Sequence, residues 1–402
     1  MQKIKKNIIE AKNIYVIYNQ QDKDKAQVAV KNFSFTFQEG KIYCIIGESG
    51  SGKSSLINTF NILKKPQYGS IEILNNKIEA KKTLHNVIIA KYFINKENDN
   101  QNKFLLFCAT HTKKEDLFFA LKSYDINDFK INKGHLTKDL KANFVNIIEQ
   151  CEVFEVLTTN NLDFIDNYSS HLNIKQTDCI LNKKSRKKIK NYHEIRKNIG
   201  FVYQFPEIQL FKTTVLADVA FAARIQKYSK KESYDMAVKS LNFVGLGENF
   251  LNCSPFSLSG GQKRRVALAS IFITNPNIFV FDEPTAGLDP QSENEMIEYM
   301  LKFQKQNKTI FVVTHSMDQV LSIADEVLVM HEGKLIASGE PYSIFLNEKI
   351  LSKTSIGQPL VIKTILNLIK KDSKFEKLLT IKPKNVDDLA KAIIKIKKGK
   401  KC

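Results

Sequence analysis

An α/β fold built on a parallel β-sheet is what the 402-residue sequence predicts. Three observations carry that expectation. The apolar run Lys41-Ile42-Tyr43-Cys44-Ile45-Ile46 enters a glycine-rich octet, Gly47-Glu48-Ser49-Gly50-Ser51-Gly52-Lys53-Ser54, and residues Ser54 to Phe60 leave it with the apolar spacing of a helix. A second apolar run, Asn277-Ile278-Phe279-Val280-Phe281-Asp282, ends in a carboxylate. A third, Thr309-Ile310-Phe311-Val312-Val313-Thr314, ends at His315. Short continuous apolar runs of this kind fit strands covered on both faces, as parallel strands are.

Taken in chain order, the octet comes first. It fits the phosphate-binding pattern G-x-x-x-x-G-K-[ST]. Small residues let backbone N–H groups turn inward around a polyphosphate, and the following helix adds its positive end. Gly47, Gly50 and Gly52 are three of only 16 glycines in the chain, so composition alone seldom produces the match. The residues expected to line the nucleotide are Gly47, Glu48, Ser49, Gly50, Ser51, Gly52, Lys53, Ser54 and Ser55. Lys53 would reach the β- and γ-phosphates, and the Ser54 hydroxyl would ligate Mg2+. Asp282, at the end of a core strand, stands where the Mg2+ shell needs a carboxylate. Glu283 follows at once. Adjacent acids after a strand point in different directions, so Asp282 can serve the metal while Glu283 faces the γ-phosphate and a water. After the last core strand, Val327 to Ile336 reads as a hairpin turning at Gly333.

Leu258-Ser259-Gly260-Gly261-Gln262 lies between these elements, and with it the order of motifs resembles the ATP-binding subunits of ABC transporters. The fold implied is the P-loop NTPase ABC cassette: a RecA-like core, an antiparallel β subdomain and an α-helical signature subdomain. The resemblance covers the Walker A loop, a glutamine loop at Gln204, the signature at 258–262, Walker B ending at Asp282, then Glu283, a D-loop around Asp289, and His315. It implies two subunits head to tail with ATP between them. One face would supply Lys53, Ser54, Gln204, Asp282, Glu283 and His315. The partner would supply Ser259, Gly260 and Gly261 to the γ-phosphate, with Gln262 and Asp289 in the same nucleotide-binding set. Glu283 would polarise the attacking water, His315 would hold it in line, and Gln204 would sense the metal and signal to a membrane partner. Ala11 to Tyr18 resembles the first strand of that family, with Tyr18 placed to stack on adenine; an ordinary strand role for Tyr18 stays open.

Finer features point within the family. Ile199-Gly200-Phe201-Val202-Tyr203-Gln204-Phe205-Pro206-Glu207-Ile208-Gln209-Leu210-Phe211 resembles the glutamine loop of energy-coupling-factor transporter ATPases, and the Phe205-Pro206-Glu207 version resembles the second ATPase of the pair. The resemblance implies a heterodimer with a related ATPase under one transmembrane coupling protein. Interchangeable membrane subunits would bind vitamins or metal ions, with the chain peripheral on the cytoplasmic side of the cell membrane.

The departure from that pattern is an insertion. Lys53 and Gln204 are 151 positions apart, and the surplus lies within 77–190. The expected organisation is therefore 1–76 and 191–345 as the two parts of the nucleotide-binding domain, 77–190 as the insertion and 346–402 as a C-terminal extension. The insertion contains one glycine, Gly134, and no proline, so it is no Gly/Ser linker. Its apolar clusters at 87–90, 104–107 and 144–148 favour a small folded module, with the asparagine- and lysine-rich stretch 95–102 as an exposed loop. Its cysteines, Cys108, Cys151 and Cys179, lack metal-ligand spacing. In the extension, Leu360, Ile362, Ile365, Leu366 and Ile369 have amphipathic spacing, and the region is expected to stabilise the dimer.

Composition excludes other classes. No run of 18 apolar residues exists, and the N-terminal Met1-Gln2-Lys3-Ile4-Lys5-Lys6 lacks the apolar stretch of a signal peptide. The net charge is +19. Basic clusters at 183–188 and 395–401 would either attract an anionic membrane surface or stand as solvated charge. Another ABC importer or exporter is the alternative reading. A nucleic-acid- or ribosome-associated ATPase fits less well and no nucleic acid is expected: the insertion is short and without heptads, and one cassette is present.

Overall fold

The computed structural model describes residues 6–18, 27–66, 68–79, 88–94, 103–109, 117–123, 174–181 and 192–398. Its centre is a six-stranded sheet in the order β10-β11-β12-β3-β13-β14. These strands are β10 (Ile199–Val202), β11 (Ile278–Asp282), β12 (Thr309–Val313), β3 (Ile42–Gly47), β13 (Glu326–His331) and β14 (Lys334–Gly339). All neighbours are parallel except the terminal hairpin β13–β14.

β3 explains why a continuous apolar run makes such a strand. Every residue from Ile42 to Gly47 is buried. Ile42, Cys44 and Ile46 face one core, whereas Tyr43 and Ile45 face another, as the two-residue alternation of a strand requires. The first core lies under the helices Val215–Ile225, Lys230–Phe243 and Gly260–Phe272, which bring Val219, Leu241 and Phe272 to it. Their starts are capped: Thr214 accepts from the Ala217 N–H, and Ser229 with Glu232 closes a capping box.

The second core lies under an antiparallel sheet, β2-β1-β4-β5, made of β1 (Asn7–Tyr18), β2 (Gln27–Gln38), β4 (Tyr68–Ile73) and β5 (Asn76–Glu79). Phe37 fills it, with ring centroids 5.0 Å from Tyr43, 5.4 Å from Phe60 and 4.9 Å from Phe311. Edge-on geometry at these distances adds to the area buried. The three-part cassette expected from the sequence is thus present.

Within the insertion, β6 (Ile88–Ile94), β7 (Lys103–Ala109), β8 (Leu117–Ser123) and β9 (Ile174–Leu181) form a third, antiparallel sheet in the order β8-β7-β6-β9. Ile88 to Ala90 of the first apolar cluster fall in β6 and the cluster at 104–107 falls in β7, while Val87 lies outside the described residues. The stretch 95–102, the cluster at 144–148, Cys151 and the basic run 183–188 lie outside the described residues.

The extension begins after the short helix Pro341–Phe345 and folds as the helices Glu348–Thr354, Leu360–Lys371, Lys377–Ile381 and Val386–Lys397. Val361, Ile362 and Ile365 are buried in the same cluster as Phe345 and Leu321 of the cassette. Leu360, by contrast, is largely exposed at the helix start. Among the described residues no helix is long and apolar enough to cross a membrane.

Candidate functional site

The phosphate loop is squeezed from two sides. Gly47 has φ +152°, and a Cβ there would stand 2.1 Å from the Met330 carbonyl oxygen. Gly52 has φ +96°, and its Cβ would stand 2.1 Å from the Ala29 oxygen. Only glycine fits either place. The hairpin turn completes the support: the Gly333 N–H donates to Ser51 O at 3.1 Å, and the Lys31 N–H donates to Gly333 O at 2.8 Å.

Lys53 opens the helix Lys53–Phe60 and is buried. Its Nζ donates to the Gly47 and Glu48 carbonyls, each at 2.8 Å, and so draws the loop closed. An ammonium has three N–H groups, and one is left for a ligand. Among the described residues the Ser51 hydroxyl is buried without a hydrogen-bond partner, and space beyond Gly50 is open. An unpaired buried hydroxyl, a free ammonium donor and a helix N-terminus fit a polyphosphate.

The strand register assembles the rest. Val202 pairs with Phe281, Asp282 with Val313, and Val313 with Ile45, so β10, β11, β12 and β3 end side by side. Gln204, Asp282, Glu283, His315 and the loop therefore share one sheet edge. The Ser54 hydroxyl donates to Asp282 Oδ1 at 3.4 Å. Burial pushes the Asp282 carboxyl up, with Ser54 and Lys53 opposing. Burial likewise pushes the Lys53 ammonium down, against the pull of Glu283, Asp282 and Glu48. Two neighbouring oxygens, one of them anionic, suit a hard divalent cation, and Ser54 and Asp282 would hold it.

Glu283 is set in a left-handed conformation, φ +50°, with its N–H donating to Val313 O at 2.9 Å. Such a conformation in a non-glycine residue, costing on the order of 1–3 kcal/mol, persists where the surrounding structure fixes it. Glu283 Oε1 lies 3.1 Å from His315 Nε2. Burial is the main cause that raises the Glu283 carboxyl, and His315 opposes it. A carboxylate beside an exposed imidazole at this distance can accept a proton from a water.

The other expected residues sit elsewhere or carry local duties. Gln204 is exposed just past β10. Tyr18 ends β1, with Lys64 Nζ 4.0 Å over its ring, so at least one face is already covered by a cation. Ser259 and Gln262 close a capping box on the helix Gly260–Phe272: the Gln262 N–H donates to Ser259 Oγ at 3.3 Å, and the Ser259 N–H donates to Gln262 Oε1 at 3.0 Å. The Ser259 hydroxyl proton stays available. Asp289 caps the helix Pro290–Lys305 through the N–H groups of Gln291 and Ser292, and the Ser292 hydroxyl, donating to its Oδ2 at 2.6 Å, is the main cause that holds its carboxyl below the usual range, with the Ser292 and Gln291 N–H groups adding to it. Sequence reading missed Gln319, which is buried and bonded to Thr285 and Thr314. No local signal marked it, because the helix Met317–Ile323 also carries Asp318 and Ser322.

Comparison with known proteins agrees with this fold. Residues 30–140 and 167–286 match the ABC transporter family. The energy-coupling factor transporter ATP-binding protein EcfA2 of Ureaplasma parvum is 38% identical, covering 98% of this chain and 94% of its own. The protein of the same description from Mycoplasma pneumoniae is 34% identical over 96% and 93%. Among solved structures, cbiO1 from Clostridium perfringens, part of the ABC transporter complex cbiONQ, superposes with a TM-score of 0.53 at 22% identity, covering 93% of this chain and 99% of that one. Fold and site thus define an ABC ATPase. Within that class the chain belongs to the EcfA2 family of energy-coupling factor transporter ATP-binding proteins.

Proposed function

We propose that this chain hydrolyses Mg2+-ATP in a composite site shared with a second, related ATPase, and so drives an energy-coupling factor importer. The observation that carries the reading is the split of the motifs. The sheet edge holds Lys53, Ser54, Asp282, Glu283 and His315, whereas Ser259, Gly260 and Gly261 stand on a separate helix N-terminus. Gly260 and Gly261 have no positive φ, and a Cβ on either would meet nothing within 4 Å. The fold itself does not demand glycine there; close approach of a second body would.

In this reading Lys53, Ser51 and the loop N–H groups bind the phosphates, Ser54 and Asp282 would hold Mg2+ with Gln204, and Tyr18 would stack on adenine. Bound Mg2+ would neutralise charge on the β- and γ-phosphates. Glu283 accepts the proton of the attacking water, and His315 keeps that carboxylate and the water in line. Around Gln204, Phe205, Ile208 and Phe211 are exposed large apolar side chains. They offer a surface for a transmembrane coupling protein, to which interchangeable membrane subunits would bring vitamins or metal ions. The chain would then lie at the cytoplasmic face of the cell membrane, where its lysines meet anionic lipid. The insertion after β5, which holds the sheet β8-β7-β6-β9, would act as a module of its own, and 346–402 would stabilise the pairing of the ATPases.

Glu283→Gln tests the reading. The variant should bind ATP and trap the paired state with turnover reduced by orders of magnitude, and the tagged chain should bring down a related ATPase and a multi-span membrane protein. Rapid hydrolysis by the variant would remove Glu283 from its role. Recovery of nucleic acid or ribosomes alone would overturn the transport reading.

A further inference from the structure

Glu283 and His315 meet at 3.1 Å, yet they leave the sheet on two different loops, after β11 and after β12. Something must fix one loop against the other. One link is in the backbone, the bond from the Glu283 N–H to Val313 O. The second is a side chain that no motif includes. Gln319 is 3% exposed, and its Oε1 accepts hydrogen bonds from the Thr314 hydroxyl at 3.0 Å and the Thr285 hydroxyl at 3.3 Å. Thr285 lies two residues after Glu283, and Thr314 directly precedes His315.

The Thr314 hydroxyl is used twice. It donates to Gln319 and accepts from the Ser316 N–H at 3.1 Å, so the residues on either side of His315 are tied to the same oxygen. Ser316 in turn caps the helix that carries Gln319, accepting from the Gln319 N–H at 3.4 Å. Gln319 is therefore held at both its backbone and its side chain. Its amide Nε2 is buried with no hydrogen-bond partner among the described residues. An apolar residue would avoid that orphaned donor, so packing alone does not account for a glutamine here.

We propose that Gln319 is a positioning residue that sets the distance between Glu283 and His315 through Thr285 and Thr314. The proposal rests on the catalytic reading of those two residues. It makes a specific demand. Misplacing the pair should slow the chemical step and leave nucleotide affinity alone, because Gln319 approaches neither the phosphate loop nor Tyr18. A displacement of about 1 Å in a catalytic pair can cost on the order of 100-fold in rate.

The test compares Gln319→Leu, Thr285→Val and the double variant in the full chain, assembled with the membrane components that co-purify with it. ATP affinity, kcat and Tm are measured for each, with Glu283→Gln as the reference. Gln319→Leu should lower kcat by about 10-fold to about 100-fold with ATP affinity within about two-fold. The double variant should be no slower than the worse single variant, since both act on one brace. Parental kcat in Gln319→Leu, a loss confined to ATP affinity, or additive losses would overturn the proposal. If Gln319→Leu does not fold, Thr285→Val alone must lower kcat with ATP affinity unchanged, or the proposal fails. If Glu283→Gln still turns over rapidly, the catalytic reading fails first, whatever Gln319 does.

Discussion

Asp282 is desolvated in the folded chain, and a charge there makes the site a place where function opposes stability. Its carboxyl is pushed above the ordinary range in the folded chain. The sign follows from linkage: a raised acid contributes stability that is present below the unfolded value and lost as pH rises through the folded one. Wherever Asp282 is charged, the charge therefore works against folding of the nucleotide-free chain. Asp282→Asn should raise Tm at pH 7 while weakening Mg2+-dependent ATP binding, and the Tm difference should close at acid pH below the carboxylate range. Thermal melts at the two pH values check both; a lower Tm at pH 7 would contradict the assignment of burial as the main cause. Glu283 is raised in the same direction, and His315 at 3.1 Å is the counterweight.

At the scale of elements, the phosphate loop is shaped by strands far from it in sequence. Ala29 of β2 and Met330 of β13 press on Gly52 and Gly47, while the Gly333 turn bonds Ser51. Gly52→Ala should lose ATP binding and destabilise the chain by at least about 1–2 kcal/mol, since it places a Cβ in a left-handed conformation and against a carbonyl. Calorimetry with and without ATP measures both. Normal ATP binding by that variant would mean the loop can relax away from Ala29. The signature helix shows the converse: its capping box explains Ser259 and Gln262 locally, but nothing local explains two open glycines.

At the scale of the whole molecule, the C-terminal extension is not a detachable tail. Its Val361, Ile362 and Ile365 share a core with Phe345. Asp318 Oδ1 accepts from the Leu360 N–H at 2.7 Å, and the Tyr342 hydroxyl donates to Pro383 O at 2.7 Å. Removing 350–402 would strip the cassette's own core, so loss of pairing after truncation would not be specific. Val386 and Ile394, eight residues apart on one face of the last helix and both largely exposed, are the better probes. Val386→Glu with Ile394→Glu should leave Tm within about 1 °C, as surface changes do, and should loosen pairing with the second ATPase in size-exclusion chromatography. Unchanged pairing would remove the extension's outer face from that role.

The parts of this protein that were readable from sequence are those written in short, contiguous patterns. The octet 47–54 announces a phosphate loop because backbone geometry demands small residues in series. The apolar runs at β3, β11 and β12 announce buried strands because a strand covered on both faces has no polar position to spare. The family resemblance led to the expectation that Asp282, Glu283 and His315 stand together, and the strand register brings them to one end of the sheet. Tertiary structure alone decided which residues enforce that arrangement. Gln319 joins Thr285 to Thr314, Lys64 covers a face of Tyr18, and Ala29 and Met330 mould the loop, across separations of up to hundreds of residues. Such contacts leave no local pattern, because they are fixed by the order in which strands lie side by side and not by the order in which the chain runs.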